Sequence, residues 1–325
     1  MADSNPNERS GEPLVVIGGP TASGKSPLAM DLAEMVGGEI INGDSMQVYD
    51  ELRLLTARPG PDDERRVPHH LYGFMSVTER CSVALWADAA RRVVTDCLTR
   101  GSVPIIVGGT GLYLATFMRG LSPIPDVPAS VRSDVMARVD GFTAQELHDL
   151  ARAVDPDLAQ RIPVGDAQRL IRLLEVHEAT GEPLSAWQQQ PRRNAWPGPV
   201  LFLVLRPDRA VLYQACNERF DAMMAAGALQ EVAALTDRDL SPDLPAMRAL
   251  GVPPLLAHIR GEMAVDEAVQ TAKTATRRYA KRQLTWFRHQ AGDAIVLDDQ
   301  DAAERLACAR AHISGFLLTA KGPKA

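Results

Sequence analysis

Cysteine is scarce in this chain. Cys81, Cys97, Cys216 and Cys308 are the four, far apart and with no CxxC pair. That argues against a disulfide framework or a thiolate metal cluster and fits a reducing cytoplasm. No apolar run comes near the about 20 residues a membrane helix needs, so no membrane partner is expected. Residues 1–12 are polar and lack the basic and apolar regions of a secretory leader; they read as a flexible tail. Internal repeats and low-complexity tracts are also missing. Neither sign of charge dominates, with 35 Lys and Arg against 41 Asp and Glu, a net charge of -6. This mild acidity speaks weakly against a nucleic-acid partner, because local charge governs binding more than the sum does.

What is present is ordinary globular material. Of 325 residues, 46% are hydrophobic and 23% charged, enough apolar surface for a sizeable core and a length of about two domains. Leu14 to Gly18, Glu39 to Asn42 and Val103 to Val107 are short apolar runs suited to buried strands. A helical pattern with Leu28, Leu32 and Met35 on one side separates the first two, and Val83 to Thr99 predicts another helix before the third. Such alternation predicts a parallel sheet with crossover helices. Three prolines at Leu121 to Pro128 mark a change of character. From Ala129 to about Gln190 the pattern is helical. It includes a capping box at Thr143 to Glu146, an N-cap at Asp155-Pro156 and a strong helical segment from Gly165 to Thr180. Val200 to Leu205 returns to strand composition, and Asp208 opens another helix. The expected organisation is a core of 13–121 and 199–300, a helical insertion at 122–198, and a C-terminal helix and tail at 301–325.

Gly19-Pro20-Thr21-Ala22-Ser23-Gly24-Lys25-Ser26 satisfies G-x-x-x-x-G-K-[ST] between a predicted strand and a predicted helix. Backbone N–H groups of such a loop point at an anion, and the helix dipole adds to the attraction. Lys25 supplies a mobile charge, and Ser26 is the candidate Mg²⁺ ligand. The fold class is therefore α/β, with a P-loop NTPase-like parallel sheet core and an inserted helical domain, nucleotide-binding in type. Most P-loop ATPases also carry an Asp at the end of a neighbouring strand to hold Mg²⁺. Here Val103 to Val107 runs into Gly108-Gly109-Thr110, with no carboxylate, which weakens a reading as an ATP-driven motor. Asp44, with Ser45 and Gln47 nearby, instead follows the second strand and is expected at the same sheet edge as the P-loop. The plainer use of an Asp there is an Asx-turn or helix cap. Its position beside a phosphate site favours a functional one.

The segments GPTASGKS at Gly19–Ser26, INGDSMQVY at Ile41–Tyr49 and VGGTGLY at Val107–Tyr113 together resemble the tRNA dimethylallyltransferases, also called tRNA isopentenyltransferases. Further matches are Val67-Pro-His-His70, Gly165 to Arg172, Ala179 to Leu184, Met247 to Gly251 and Arg277 to Arg288, in order from about residue 14 to 290. Leu54-Leu55, Arg58 and Tyr72-Gly73 stand where the family usually has Ile-Gly, Lys and Ile-Asp. The resemblance implies transfer of a dimethylallyl group from its diphosphate to N6 of the adenosine 3′ to the anticodon. Diphosphate would be held by Gly19 to Ser26, Arg219 and Mg²⁺. Asp44 would accept the amino proton, with Thr110 beside it. The anticodon stem-loop would meet Asp44, Ser45, Met46, Gln47, Thr110, Arg132, Gln168, Arg169, Leu170, Ile171 and Arg172.

Local charge agrees with RNA. Val269 to Gln290 carries Lys273, Arg277, Arg278, Lys281, Arg282 and Arg288 and no acid. On a helix Lys273, Arg277 and Lys281 share a face and are expected to meet the tRNA backbone, while Val265, Val269, Ala272, Tyr279 and Trp286 are expected to be buried. His69 and His70 read as structural, without partners for a metal. Trp187 and Trp196 read as packing residues. A monomer is expected. The competing readings are a P-loop kinase for a small metabolite, supported by the P-loop alone, and a nucleotide-controlled RNA-binding protein, against which Asp44 counts.

Overall fold

The computed structural model describes residues 12–298 and 301–320. The expected N-terminal tail, apart from Glu12, lies outside them, as do residues 321–325 at the C-terminal end. Six strands form one sheet: β1 (Leu14–Gly18), β2 (Gly38–Asn42), β3 (His69–His70), β4 (Val103–Gly108), β5 (Val200–Arg206) and β6 (Ile295–Asp298). Their order is β3-β2-β4-β1-β5-β6, and every pairing is parallel. β1 is buried along its whole length and takes β4 on one side and β5 on the other, with Val16 opposite both Ile106 and Phe202. Continuous apolar runs of this kind fit a parallel sheet covered on both faces.

The helices follow in chain order. α1 (Lys25–Val36), α2 (Pro61–Arg66), α3 (Val83–Thr99) and α4 (Gly111–Arg119) belong to the first half. α5 (Ala129–Val139), α6 (Ala144–Val154), α7 (Pro156–Ala159), α8 (Ala167–Thr180) and α9 (Leu184–Gln189) come next. α10 (Arg209–Ala225), α11 (Ala228–Thr236), α12 (Val252–Ile259), α13 (Val265–Gln290) and α14 (Ala302–Ala320) complete the set. The chain divides into two compact units. One is Arg119–Ala195; the other joins the described residues before 119 to those after 195.

In the larger unit, alternation along the strands separates two cores. Val16, Ile41, Ile106 and Val204 face a cluster with Trp86, Tyr113, Phe117, Phe220 and Phe287. Val15, Ile17, Ile40, Ile105 and Leu203 face the opposite side, toward Leu28 and Leu32 of α1 and Ile313 of α14. The long helix α13 covers the expected residues, but of the expected stripe it buries only Ala272. Ala268, Ala272, Thr276, Ala280, Gln283 and Phe287 are its buried positions. Val265 is exposed, and Val269, Tyr279 and Trp286 are only partly buried. Up to Ala280 the stripe consists of small residues, and beyond it Gln283 and Phe287 reach in toward the sheet edge.

The smaller unit is all helical and has its own core of Val135, Leu147, Leu170, Leu173, Leu174 and Val176, among others. Its start signals work as the sequence indicates. Thr143 Oγ1 accepts from the Glu146 amide while the Glu146 carboxylate accepts from the Thr143 amide. Asp155 is buried because it serves two elements. Its Oδ1 accepts from Leu158 N at 3.1 Å and its Oδ2 from Ser185 N at 2.8 Å, tying α7 to the head of α9.

Candidate active site

Because all strands are parallel, their carboxyl ends gather at one edge, where open α/β sheets bind ligands. β1 delivers the P-loop, β2 delivers Asp44, and β4, lying between them, delivers Gly109-Thr110. Gly24 heads α1 with φ 84, a left-handed conformation natural to glycine. Lys25 folds back over the loop, and its Nζ donates to Pro20 O at 3.2 Å. Burial lowers the Lys25 pKa to about 8; Asp44 works against that shift and Arg219 with it. Arg219, on α10, donates to Thr21 Oγ1 and is itself lowered by burial. Two cations thus bear on the loop before any anion arrives. Ser26 is exposed at the first turn of α1.

Asp44 is held by an Asx-type arrangement. Its Oδ1 accepts from Met46 N at 2.9 Å, and its own N–H donates to Asn42 Oδ1 at 2.7 Å. The plain turn-forming use of this residue is therefore real, and it orients the carboxylate without consuming Oδ2. The fully buried Asn42 is anchored in turn, its carbonyl accepting from Trp86 Nε1 at 2.8 Å. Burial, and then the negative charge of Asp44, raise the phenols of Tyr72 and Tyr279. Thr110 Oγ1 accepts from Ser45 N at 2.9 Å and donates to Ser45 Oγ at 3.2 Å, joining the β4 turn to the β2 turn. Asp44, Thr21 and Arg219 line one hollow whose remaining wall is largely apolar, with Leu55, Phe220 and Met223. One cation, a carboxylate and a largely apolar wall, beside the P-loop, suit an anion with a short hydrocarbon tail.

Other expected site residues behave differently. Gln47 spends both N–H bonds of its side chain on Thr56 O and Ala57 O, each at 2.9 Å, so it shapes the following loop. Lys273 is not part of a free basic face. Its side chain is only 11% exposed and pairs with Asp221 of α10 at 2.6 Å, an acid that the α13 sequence alone does not reveal. Arg277 donates to Asn217 Oδ1 at 2.6 Å and to Thr274 Oγ1 at 2.9 Å. Of the three, only Lys281 is exposed. In the helical unit, Arg132, Gln168 and Arg169 are exposed and Ile171 and Arg172 partly so, but the side chain of Leu170 is fully buried in that unit's core and offers no surface for contact. Arg169 and Arg172 pair within α8's own neighbourhood, with Asp166 at 3.5 Å and Glu175 at 3.2 Å.

His70 also has partners that sequence spacing hides. Its Nε2 lies 2.6 Å from Glu39 Oε2, with Cys97 Sγ 3.5 Å from the same oxygen. These three could ligate a metal by proximity. The cation actually in contact is Arg100, whose Nη2 is 2.7 Å from that oxygen, so the group reads as an ion-pair knot around the buried Glu39 carboxylate. The departures at Arg58 and Gly73 belong together as well. Arg58 donates to Tyr49 O at 3.0 Å and Asp50 O at 2.9 Å, and a Cβ on Gly73 would come within 2.2 Å of its guanidinium. Sequence reasoning missed the hollow's apolar wall and Gln283, whose polar side chain amid the apolar face of α13 was the available signal.

Comparison with known proteins places the chain. The IPP transferase family profile matches residues 47–290. The tRNA dimethylallyltransferase of Nitrobacter hamburgensis is 47% identical over 311 residues, covering 95% of this chain and 98% of the relative. That of Rhodospirillum centenum is 50% identical, covering 90% and 94%. Among solved structures, the full-length tRNA isopentenylpyrophosphate transferase of Bacillus halodurans superposes with a TM-score of 0.70 at 34% identity, over 95% of this chain and 98% of that one. A eukaryotic dimethylallyltransferase acting on tRNA gives 0.78 at 27%, over 95% and 80%. With the family profile covering residues 47–290 and these relatives matching nine-tenths or more of the chain, this chain belongs to the IPP transferase family.

Proposed function

We propose that the chain transfers a dimethylallyl group from dimethylallyl diphosphate to N6 of the adenosine on the 3′ side of the anticodon in certain tRNAs. The observation that carries this reading is the single hollow in which Asp44, Thr21, Arg219 and an apolar wall meet. The P-loop amides, Lys25 and Arg219 hold the diphosphate. Leu55, Phe220 and Met223 receive the hydrocarbon and exclude water from it. The allylic C–O bond breaks, the N6–C bond forms, diphosphate leaves, and the N6 proton passes to Asp44. Stabilising the departing charge and accepting that proton are the two contributions such a reaction needs. The adenosine must leave its stack to reach the carboxylate.

Mg²⁺ fits the donor set: Ser26 offers an exposed hydroxyl at the head of α1, and a diphosphate supplies further hard oxygens. When bound, the ion would neutralise charge on the leaving group. The helical insertion, with Arg132, Gln168, Arg169 and Arg172, is assigned to the anticodon stem-loop. A cytoplasmic monomer suits this role. Among the described residues, no helix is long and apolar enough to cross a membrane.

The test is incubation with unmodified tRNA and radiolabelled dimethylallyl diphosphate, followed by nucleoside analysis. Label is expected on one adenosine without ATP. The Asp44→Asn variant should still bind diphosphate but lose on the order of 10²–10⁴-fold in turnover. ATP-dependent phosphorylation of a small metabolite, with no labelled nucleoside, would support a kinase instead. Near-normal turnover in the variant would remove Asp44 from its role.

A further inference from the structure

Gln283 sits on the buried face of α13 and is 5% exposed. A polar amide there is costly unless both of its ends are bonded. Both are, and the partners lie on two different loops. Its Oε1 accepts from the Thr21 amide of the P-loop at 2.8 Å. Its Nε2 donates to Gly109 O, in the turn after β4, at 2.8 Å. The orientation of the amide is fixed by these partners, since an N–H needs an acceptor and a carbonyl needs a donor.

The next links lead to the carboxylate. Thr110, adjacent to Gly109, is bonded to Ser45, and Ser45 adjoins Asp44. Space around Gly109 is equally tight. A Cβ there would lie 2.3 Å from Gln283 Nε2, 3.2 Å from Gly19 O and 3.4 Å from Asp44 Oδ2, so P-loop, amide and carboxylate converge on one point. Phe287 and Trp286 of the same helix press against the positions of Gly18 and Gly111 in the same way, bracing both loops from one side.

We propose that Gln283 is a positioning residue: it locks the diphosphate cradle to the Gly109-Thr110 turn and so sets the separation between the leaving group and Asp44. This rests on the transferase reading above. It also implies that the Thr21 amide is engaged by the protein and does not serve the phosphate.

The test uses two variants of the full chain. Gln283→Met keeps the bulk and removes both bonds. Gln283→Glu keeps the acceptor for Thr21 but, when ionised, turns an oxygen toward Gly109 O. When protonated, the Glu side chain again offers one acceptor and one donor, and burial favours that neutral form. For Gln283→Met, kcat at saturating tRNA and donor is expected to fall on the order of 10–100-fold, the scale of a displacement of about 1 Å. Its ratio to wild type should be flat with pH, and tRNA affinity without donor should be unchanged. For Gln283→Glu, kcat relative to wild type should recover as the pH is lowered from about 8.5 to 6.

A purely structural role predicts lower melting temperatures but wild-type kcat per folded molecule in both variants, and that result would overturn the proposal. So would parallel pH profiles for the two. Should Gln283→Met fail to fold, the pH recovery of Gln283→Glu alone decides the matter. Wild type is the internal reference. Transfer by wild type with unimpaired variants defeats only the positioning role, whereas no transfer by wild type defeats the transferase reading and this role with it.

Discussion

At the residue scale, Lys25 shows how a binding site is prepared before its ligand arrives. Burial lowers its pKa to about 8, despite the opposing charge of Asp44. The ammonium is therefore charged below that value and increasingly neutral above it. A diphosphate binds the charged form more strongly, so affinity should decline as pH rises through about 8, by up to about tenfold per unit. Diphosphate titrates in this range too, which a Lys25→Arg comparison removes, because a guanidinium stays charged throughout. Calorimetric titration of both proteins with inorganic diphosphate from about pH 7 to 9.5 should give affinities that diverge in the alkaline half. Constant ratios across the series would contradict a lysine poised near 8. Arg58 and Gly73 make a second point at this scale. Each is an unremarkable letter in isolation, yet the guanidinium occupies the space a side chain at 73 would need.

Among the elements, α13 performs two tasks with opposite faces. Inward, small residues let it lie close to its neighbours while Gln283 reaches two loops. Outward, Lys281, Arg282 and Arg288 are exposed, whereas Lys273 is spent on Asp221. The even spacing of the basic residues predicts one continuous RNA-facing stripe. Packing against α10 removes its N-terminal part. Neutralising a phosphate contact should reduce the salt slope of RNA binding by roughly 0.7–0.9. Lys281→Gln is expected to lower the slope by about that amount and Lys273→Gln to leave it unchanged, losing some stability instead. Filter binding over a salt series distinguishes them, and a slope change confined to Lys273→Gln would reverse the assignment of faces.

For the molecule as a whole, the far end of the sheet carries a stabilising device with its own pH signature. Burial pushes the Glu39 carboxyl up, but hydrogen bonds from Arg100, His70 and Ser102 outweigh it and hold the pKa at about 2. A depressed carboxylate stabilises the fold fully above its unfolded pKa of about 4.3 and loses that contribution as the pH falls toward 2. The knot joins β2, β3 and α3, and with Arg100 half-exposed and screened by solvent, about 1–2 kcal/mol of unfolding free energy should disappear across that window. Urea unfolding from about pH 6 to 2 should show the gap between wild type and Glu39→Gln closing by that order. A gap that stays constant would remove Glu39 from the acid response. Much of this architecture is readable from local chemistry. The P-loop, the apolar strand runs, the capping box at Thr143 and the Asp155-Pro156 start are statements about neighbouring residues, and backbone geometry and hydrogen bonding act on neighbours directly. The ordered motifs likewise carry the family. Partnership across hundreds of positions is not local. That Asp221 meets Lys273, that Cys97 and Arg100 meet Glu39, that Leu170 points into a core, and that Gln283 spans Thr21 and Gly109 follow from how helices settle on the sheet. The strand–loop–helix cradle and the parallel sheet that brings Asp44 to its edge are legible in the residue pattern alone. Which charges are paired and which remain for a ligand is settled by packing in three dimensions, where small residues on α13 permit an approach to α10 that periodicity along one chain does not encode.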